Sequence, residues 1–199
     1  WIWSKKPLVQ IMMISLAINM VTNPAFSLLP LLVTDYFNGG AIELAWIQSA
    51  NGLGMILGGL ALGVWGGFKS KSKTAFSAIT VAGLGLLGFS QTPSTLLWLG
   101  ICFVFIFGFM NSIGNSSFMT VLQTMIPHEM QGRVFTLVMA TSIAVAPLGL
   151  TIAGPVAERL GVRSWFLVSG FVIVAGALFG LFSPGIKSFE QALTESEES

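Results

Sequence analysis

The stretch Thr95-Leu-Leu-Trp-Leu-Gly-Ile-Cys-Phe-Val-Phe-Ile-Phe-Gly-Phe-Met-Asn-Ser-Ile-Gly-Asn-Ser-Ser-Phe-Met-Thr-Val-Leu-Gln-Thr-Met-Ile126 carries no charged side chain. A helix needs about 20 apolar residues to cross a bilayer, and this run exceeds that. Five further stretches read the same way: Leu8–Tyr36, Leu44–Gly66, Thr74–Ser90, Val134–Ala157 and Trp165–Ser183. The pieces between them are 37–43, 67–73, 91–94, 127–133 and 158–164. The first and fourth spans are longer than one bilayer requires, so they should tilt, bend or project into the cytoplasm. The fold class expected is an all-α membrane protein of six transmembrane helices, with the bundle over residues 1–189. The remainder, 190–199, is acidic and lacks apolar periodicity, which predicts a disordered tail.

Composition agrees. Of 199 residues, 54% are hydrophobic and 9% charged, against about 25% charged in a soluble domain. A surface so poor in charge has to face a lipid bilayer. The net charge of +1 and the lack of a basic stripe argue against nucleic acid. One cysteine, Cys102, and one histidine, His128, exclude an internal disulfide and most metal or Cys/His catalytic readings. No cofactor and no metal are expected. An enzyme would need clustered carboxylates, paired histidines or an activated serine at one depth, and none is evident. The chain opens on Trp1 with no small-residue cleavage site after the apolar stretch, so the start reads as a cut or processed end rather than a signal peptide.

Basic residues set the orientation. With both ends cytoplasmic, Lys5, Lys6, Lys69, Lys71, Lys73, Arg133 and Lys187 lie inside, and Arg159 and Arg163 outside. Tryptophans mark the interfaces. Trp46 and Trp65 are 19 residues apart, or ~28 Å of helix at 1.5 Å per residue, which is close to the hydrocarbon thickness. Trp98 and Trp165 open the fourth and sixth spans, and Trp1 and Trp3 precede the first, as an aromatic belt predicts.

No titratable group falls at mid-membrane; Asp35 and Glu43 sit at an outer end, where a solvated carboxylate is the default reading. Neutral polar residues do cluster at depth. They are Asn19, Thr22 and Asn23 before Pro24 in the first span, and Asn111, Ser112, Asn115, Ser116 and Ser117 in the fourth. Gln48, Ser49 and Asn51 lie in the outer third of the second. Amides in hydrocarbon need partners or a water-filled cavity. The expected wall of such a cavity is Asn19, Asn23, Phe26, Gln48, Asn51, Asn111, Asn115, Phe118 and Gln123. Nearby methionines and phenylalanines, among them Met12, Met13 and Met119, suit a large apolar ligand. Gly-x-x-x-Gly pairs at Gly54/Gly58, Gly59/Gly63, Gly63/Gly67 and Gly176/Gly180 predict close helix packing.

Asn23-Pro-Ala-Phe26 is echoed by Asn115-Ser-Ser-Phe118, 92 residues later and also just past mid-span. Three helices then repeat as three helices. An odd number per unit makes the two copies inverted in the membrane, as in secondary transporters.

Three stretches carry a family likeness: Gly58-Gly-Leu-Ala-Leu-Gly-Val-Trp-Gly-Gly-Phe-Lys-Ser-Lys71, Gln123-Thr-Met-Ile-Pro-His-Glu-Met-Gln-Gly-Arg-Val-Phe135 and Gly154-Pro-Val-Ala-Glu-Arg-Leu-Gly-Val-Arg163. On these the whole chain resembles the C-terminal six-helix half of a major facilitator superfamily transporter, nearest the drug-efflux branch that includes macrolide pumps. Gly154, Glu158, Arg159, Gly161 and Arg163 match the superfamily's loop motif, with Glu in place of Asp. Gly59, Gly63, Lys69 and Lys71 keep the glycines and basic end of a second copy that lacks the acid. The resemblance implies that these residues, with Glu129 and Arg133, cap helix ends and pair charges where helices slide. It also implies an N-terminal half as partner, a small amphipathic substrate, and export in exchange for protons by alternating access. A six-helix membrane module that binds a partner without transporting, or a transporter of another small molecule, is the competing reading.

Overall fold

The described residues fold into seven helices, one of them short. The structure is a computed structural model and describes residues 6–126 and 128–183. Trp1, Trp3, Lys5, Pro127, Lys187 and the acidic tail lie outside the described residues. The expected first span is divided into α1 (Lys6–Ser27) and α2 (Leu29–Asp35). Proline explains the division. Pro24 sits inside α1 and Pro30 in the first turn of α2, where its missing N–H is tolerated. The other helices are α3 (Ala41–Trp65), α4 (Lys71–Gln91), α5 (Leu97–Met125), α6 (His128–Leu160) and α7 (Val162–Phe182). Six of the seven are long and apolar enough to cross a membrane.

Local chemistry sets the ends. Gly40 N–H donates to Glu43 Oε2 at 2.6 Å, opening α3. Gly66, at φ +76°, closes it in the left-handed region that glycine adopts without strain. Ser70 then caps α4 by accepting from the Lys73 N–H at 3.2 Å. The connections at 127–133 and 158–164 are mostly helix, which corrects the sequence reading. Helix α6 starts at His128 and runs to Leu160, so Glu129, Arg133, Glu158 and Arg159 are all helical. Polar residues there mark the edge of the hydrocarbon, and a helix has no need to stop at that edge. Gly161, at φ +83°, makes the break before α7.

The helices pack in the order α3, α5, α4, α7, α1, α6. Exchanging the first three-helix unit (α1 with α2, α3 and α4) for the second (α5, α6, α7) preserves this order. The α1–α6 contact maps onto α5–α3, α1–α7 onto α5–α4, and α4–α7 onto itself. Six helices that each cross a membrane in succession alternate in direction, which makes a second three-helix unit the inverse of the first.

Glycines bring the axes together. A side chain on Gly54 or Gly58 would strike the backbone oxygen of Phe105 or Phe109 of α5. Across α4–α7, Gly83 lies on Ile173 and Val174, and Gly170 on Leu87. Helix α4 lies against both α5 and α7 and buries Phe76, Ala82, Leu86 and Phe89. Phe89 meets Phe166 of α7 edge-on, with ring centroids 5.5 Å apart. Trp165 corrects the aromatic-belt reading. It is buried, and its indole N–H donates to Val21 O at 3.2 Å, fixing α7 to α1. Trp46 and Trp98 remain exposed and stack 5.1 Å apart at the matching ends of α3 and α5.

Candidate functional site

Helices α1 and α5 are the equivalent members of the two units, and their polar clusters face one pocket. It measures about 160 Å³ and is lined by Ser15, Asn19, Thr22 and Asn23 of α1 and by Phe107, Asn111, Asn115 and Phe118 of α5. Ile14 and Ile18 of α1, Phe76, Ile79 and Ala82 of α4 and Ile173 of α7 complete the lining. Five of the nine residues expected in a cavity wall thus meet here: Asn19, Asn23, Asn111, Asn115 and Phe118. The repeat is longer than the four residues that first show it. At the same offset of 92, Asn19 matches Asn111, so Asn-x-x-x-Asn-x-x-Phe recurs in full. Spacings of three and four put such residues on one helical face.

Backbone carbonyls fix the way two of these amides turn. Asn19 Nδ2 donates to Ser15 O at 2.9 Å, and Asn115 Nδ2 donates to Asn111 O at 3.0 Å and to Asn111 Oδ1 at 2.9 Å. A carbonyl can only accept, so each nitrogen must point back along its own helix. Among the described residues, no hydrogen bond reaches Asn19 Oδ1 or Asn115 Oδ1, and Thr22 Oγ1 is buried without a partner.

An apolar pocket of about 250 Å³ adjoins, between α1, α5 and α6. Val9, Met12, Met13, Leu16, Leu122, Leu137, Val138 and Thr141 are among its lining residues, and Ser15 and Phe118 border both spaces. The thioethers at Met12 and Met13 can adjust to ligands of irregular shape. Neither pocket is lined by Asp, Glu, Lys, Arg or His.

The other expected wall residues lie elsewhere. Phe26 packs on Phe107 with centroids 5.2 Å apart, and it borders an open hollow with Asn23, Ser27, Ser142 and Ile143. Asn51 is turned toward α5, where a side chain on Gly108 would meet its Oδ1. Gln48 is exposed. Gln123 is exposed too, and its carbonyl accepts from Gln131 Nε2 at 3.0 Å. Ser15 was missed by the sequence reading, although its place four residues before Asn19 is the signal that finds it.

The resemblance-derived loop residues divide into two groups. Gly154, Glu158, Gly161 and Arg163 line a hollow of about 500 Å³ with Asp35 and Tyr36. Arg163 makes no ion pair among the described residues. It donates from Nε to Ser90 O and from a terminal nitrogen to Gln91 Oε1 at 2.9 Å, and lies 5.1 Å over the Tyr36 ring. Arg163 thus caps the C-terminal end of α4, the end that favours a cation. Lys71 does the same for α3, donating to Gly66 O at 2.8 Å. Gly59 lies beside Ser112, and Gly63 faces open space. Lys69, Glu129, Arg133 and Arg159 are exposed, and no ion pair joins Glu129 to Arg133 among the described residues.

A family model for the Major Facilitator Superfamily matches residues 2–197. The chain belongs to that superfamily. Among superfamily relatives, macrolide efflux protein A of Streptococcus pyogenes is 28% identical over 173 residues, covering 87% of this chain and 43% of that one. The multidrug efflux pump Tap of Mycolicibacterium fortuitum is 28% identical over 152 residues, covering 75% and 36%. Tap of Mycobacterium tuberculosis is 26% identical over 195 residues, covering 96% and 45%. The chain therefore spans less than half the length of these superfamily relatives.

Proposed function

We propose that this chain is the C-terminal half of a drug exporter, and that α1 and α5 supply one wall of its central substrate cavity. The observation that carries this reading is the amide pocket. Asn19 and Asn23 from one unit and Asn111, Asn115 and Phe118 from the other line one space beside a methionine-lined hollow. Substrate sites at the interface of such repeats are the general rule for secondary transporters. The relatives' printed names, macrolide efflux and multidrug efflux, support an amphipathic drug as cargo. Helices α3 and α6, at the two ends of the packing order, expose Leu53, Ile56, Leu60 and Val64, and Leu137, Met139, Ile143 and Ile152. An N-terminal six-helix half would cover part of these faces, and lipid the rest.

Export runs by alternating access in exchange for protons. The support is the family; with no titratable group lining the two pockets described, the proton-carrying acids of this reading would belong to the other half. Both ends of this chain face the cytoplasm. Lys69, Lys71, Lys73 and Arg133 gather at one end of the bundle, against Arg159 and Arg163 at the other, as inner and outer surfaces should.

The test is macrolide resistance in cells producing the full-length transporter. Asn115→Leu should lower resistance while leaving the amount of protein in the membrane unchanged. Resistance that survives Asn19→Leu, Asn111→Leu and Asn115→Leu alike would remove the cavity assignment. Loss of export when a protonophore collapses the proton gradient is the expected sign of proton coupling.

A further inference from the structure

The amide pocket has a polarity of its own. Asn19 and Asn115 each donate an Nδ2 hydrogen to a carbonyl of their own helix, leaving Oδ1 for the pocket. Asn111 Oδ1 already accepts from Asn115. Thr22 Oγ1 is buried with no partner. Asn23 brings one further amide whose side chain no described residue engages. The lining therefore offers neutral acceptors at Asn19 Oδ1 and Asn115 Oδ1, a donor in Asn111 Nδ2, and two groups that both donate and accept, the Thr22 hydroxyl and the Asn23 amide. The Thr22 hydroxyl is buried without a partner, and an unmatched buried polar group costs more than a made bond returns, so a ligand hydroxyl, which both donates and accepts, gains twice here.

Charge narrows the choice. An ammonium group also donates, but no carboxylate lines this pocket or the apolar one beside it. A cation taken from water into such a place would stay uncompensated. Size fits a small head group: about 160 Å³ compares with the ~30 Å³ that one water occupies in the liquid. Ser15 and Phe118 border both spaces, so a head in one leaves its apolar body in the other.

We infer that this half recognises an uncharged, hydroxyl-bearing group of its substrate, held in the Asn19–Thr22–Asn115 pocket while the apolar body lies along Met12 and Met13. The inference rests on the export reading above. It also assigns any cationic centre of a substrate to the other half of the transporter.

The experiment uses the full-length transporter in lipid nanodiscs and three fluorescent probes with a common naphthyl body. One carries a glyceryl ether head, one the same head with both hydroxyls methylated, and one a trimethylammonium head. The glyceryl ether should bind about tenfold or more tightly than its dimethyl counterpart, the equivalent of two ordinary hydrogen bonds. Thr22→Val, which keeps shape and removes the oxygen, should narrow that ratio. Equal binding of the two ethers, or preference for the ammonium head, overturns the inference. Macrolide uptake into proteoliposomes of the same protein separates the two levels. Transport with no preference between the ethers defeats this inference alone. No transport and no binding of any probe defeats the export reading with it.

Discussion

Gly149 of α6 lies against the carbonyl oxygen of Met20 in α1. That carbonyl's helical donor would be the N–H of residue 24, which is Pro24 and has none. The proline ring is part of the same contact, since a Cβ on Gly149 would come within 2.6 Å of Pro24 Cγ. Two departures from regular helix chemistry thus meet at the α1–α6 crossing. Gly149→Ala should lower the melting temperature of the purified full-length protein, by the equivalent of about 1–3 kcal/mol for overpacking. An unchanged melting temperature would mean that α6 shifts aside at no cost and that the close approach is not required.

The glycines of α3 make a paired test. Gly58 sits on the Phe109 carbonyl of α5, whereas no described residue lies within 4 Å of a Cβ on Gly63. Sequence spacing cannot tell them apart, because both belong to Gly-x-x-x-Gly pairs. Gly58→Ala should destabilise the α3–α5 crossing by about 1–3 kcal/mol, while Gly63→Ala should stay within about 0.5 kcal/mol of the parent. Thermal unfolding of the two variants side by side measures this. Equal losses would mean that Gly63 too is closely packed against a neighbour.

Hydropathy made six spans legible because the bilayer acts residue by residue: each charge is excluded where it stands. The polar clusters of α1 and α5 were legible for the same reason, since Asn19, Asn23, Asn111 and Asn115 are conspicuous in apolar surroundings. Which face a polar residue takes was not legible from polarity. Asn51 turns to Gly108 of α5 rather than to the pocket. Trp165 resembles a belt residue by position, yet it is buried because the Val21 carbonyl gives its indole a partner. Helix ends were misread where polarity stood in for them. Glu129 and Arg133 extend α6 beyond its apolar core, and the actual break at Gly161 is a matter of backbone torsion.

Arg163 distinguishes a helix cap from a charge lock. Its acceptors, Ser90 O and Gln91 Oε1, are neutral. An Arg–carboxylate pair at the surface would weaken as salt shortens the screening length to about 3 Å at 1 M. A cap made to neutral oxygens should keep most of its effect. Arg163→Met should therefore cost about 1 kcal/mol at low and at high salt alike. Arg163→Lys should recover less than half of that, because an ammonium lacks the fork that reaches both acceptors. Unfolding at 0.05 M and about 1 M salt, where surface pairs are respectively present and screened, checks it. A loss that vanishes in salt would restore an ion pair with Glu158 or Asp35.

The Val21 carbonyl accepts from two residues of α7, Trp165 Nε1 at 3.2 Å and Ser169 Oγ at 3.0 Å. Ser169 also reaches Trp165 O at 2.7 Å, and it has one hydrogen to divide between them. Remove the indole N–H and the serine can commit its hydrogen to Val21; remove the hydroxyl and the indole remains. Each loss is thus buffered by the other donor. Ser169→Ala should cost about 1 kcal/mol, the usual net worth of one hydrogen bond. Trp165→Phe will cost more because it also leaves a void beside Phe166. The informative quantity is the coupling, in which the void cancels. Measured with and without Ser169→Ala, the cost of Trp165→Phe should differ by about 0.5 kcal/mol or more, being larger when the hydroxyl is already gone. Strict additivity would mean that the two donors do not share the carbonyl, and that α7 is held to α1 by packing of its buried face alone.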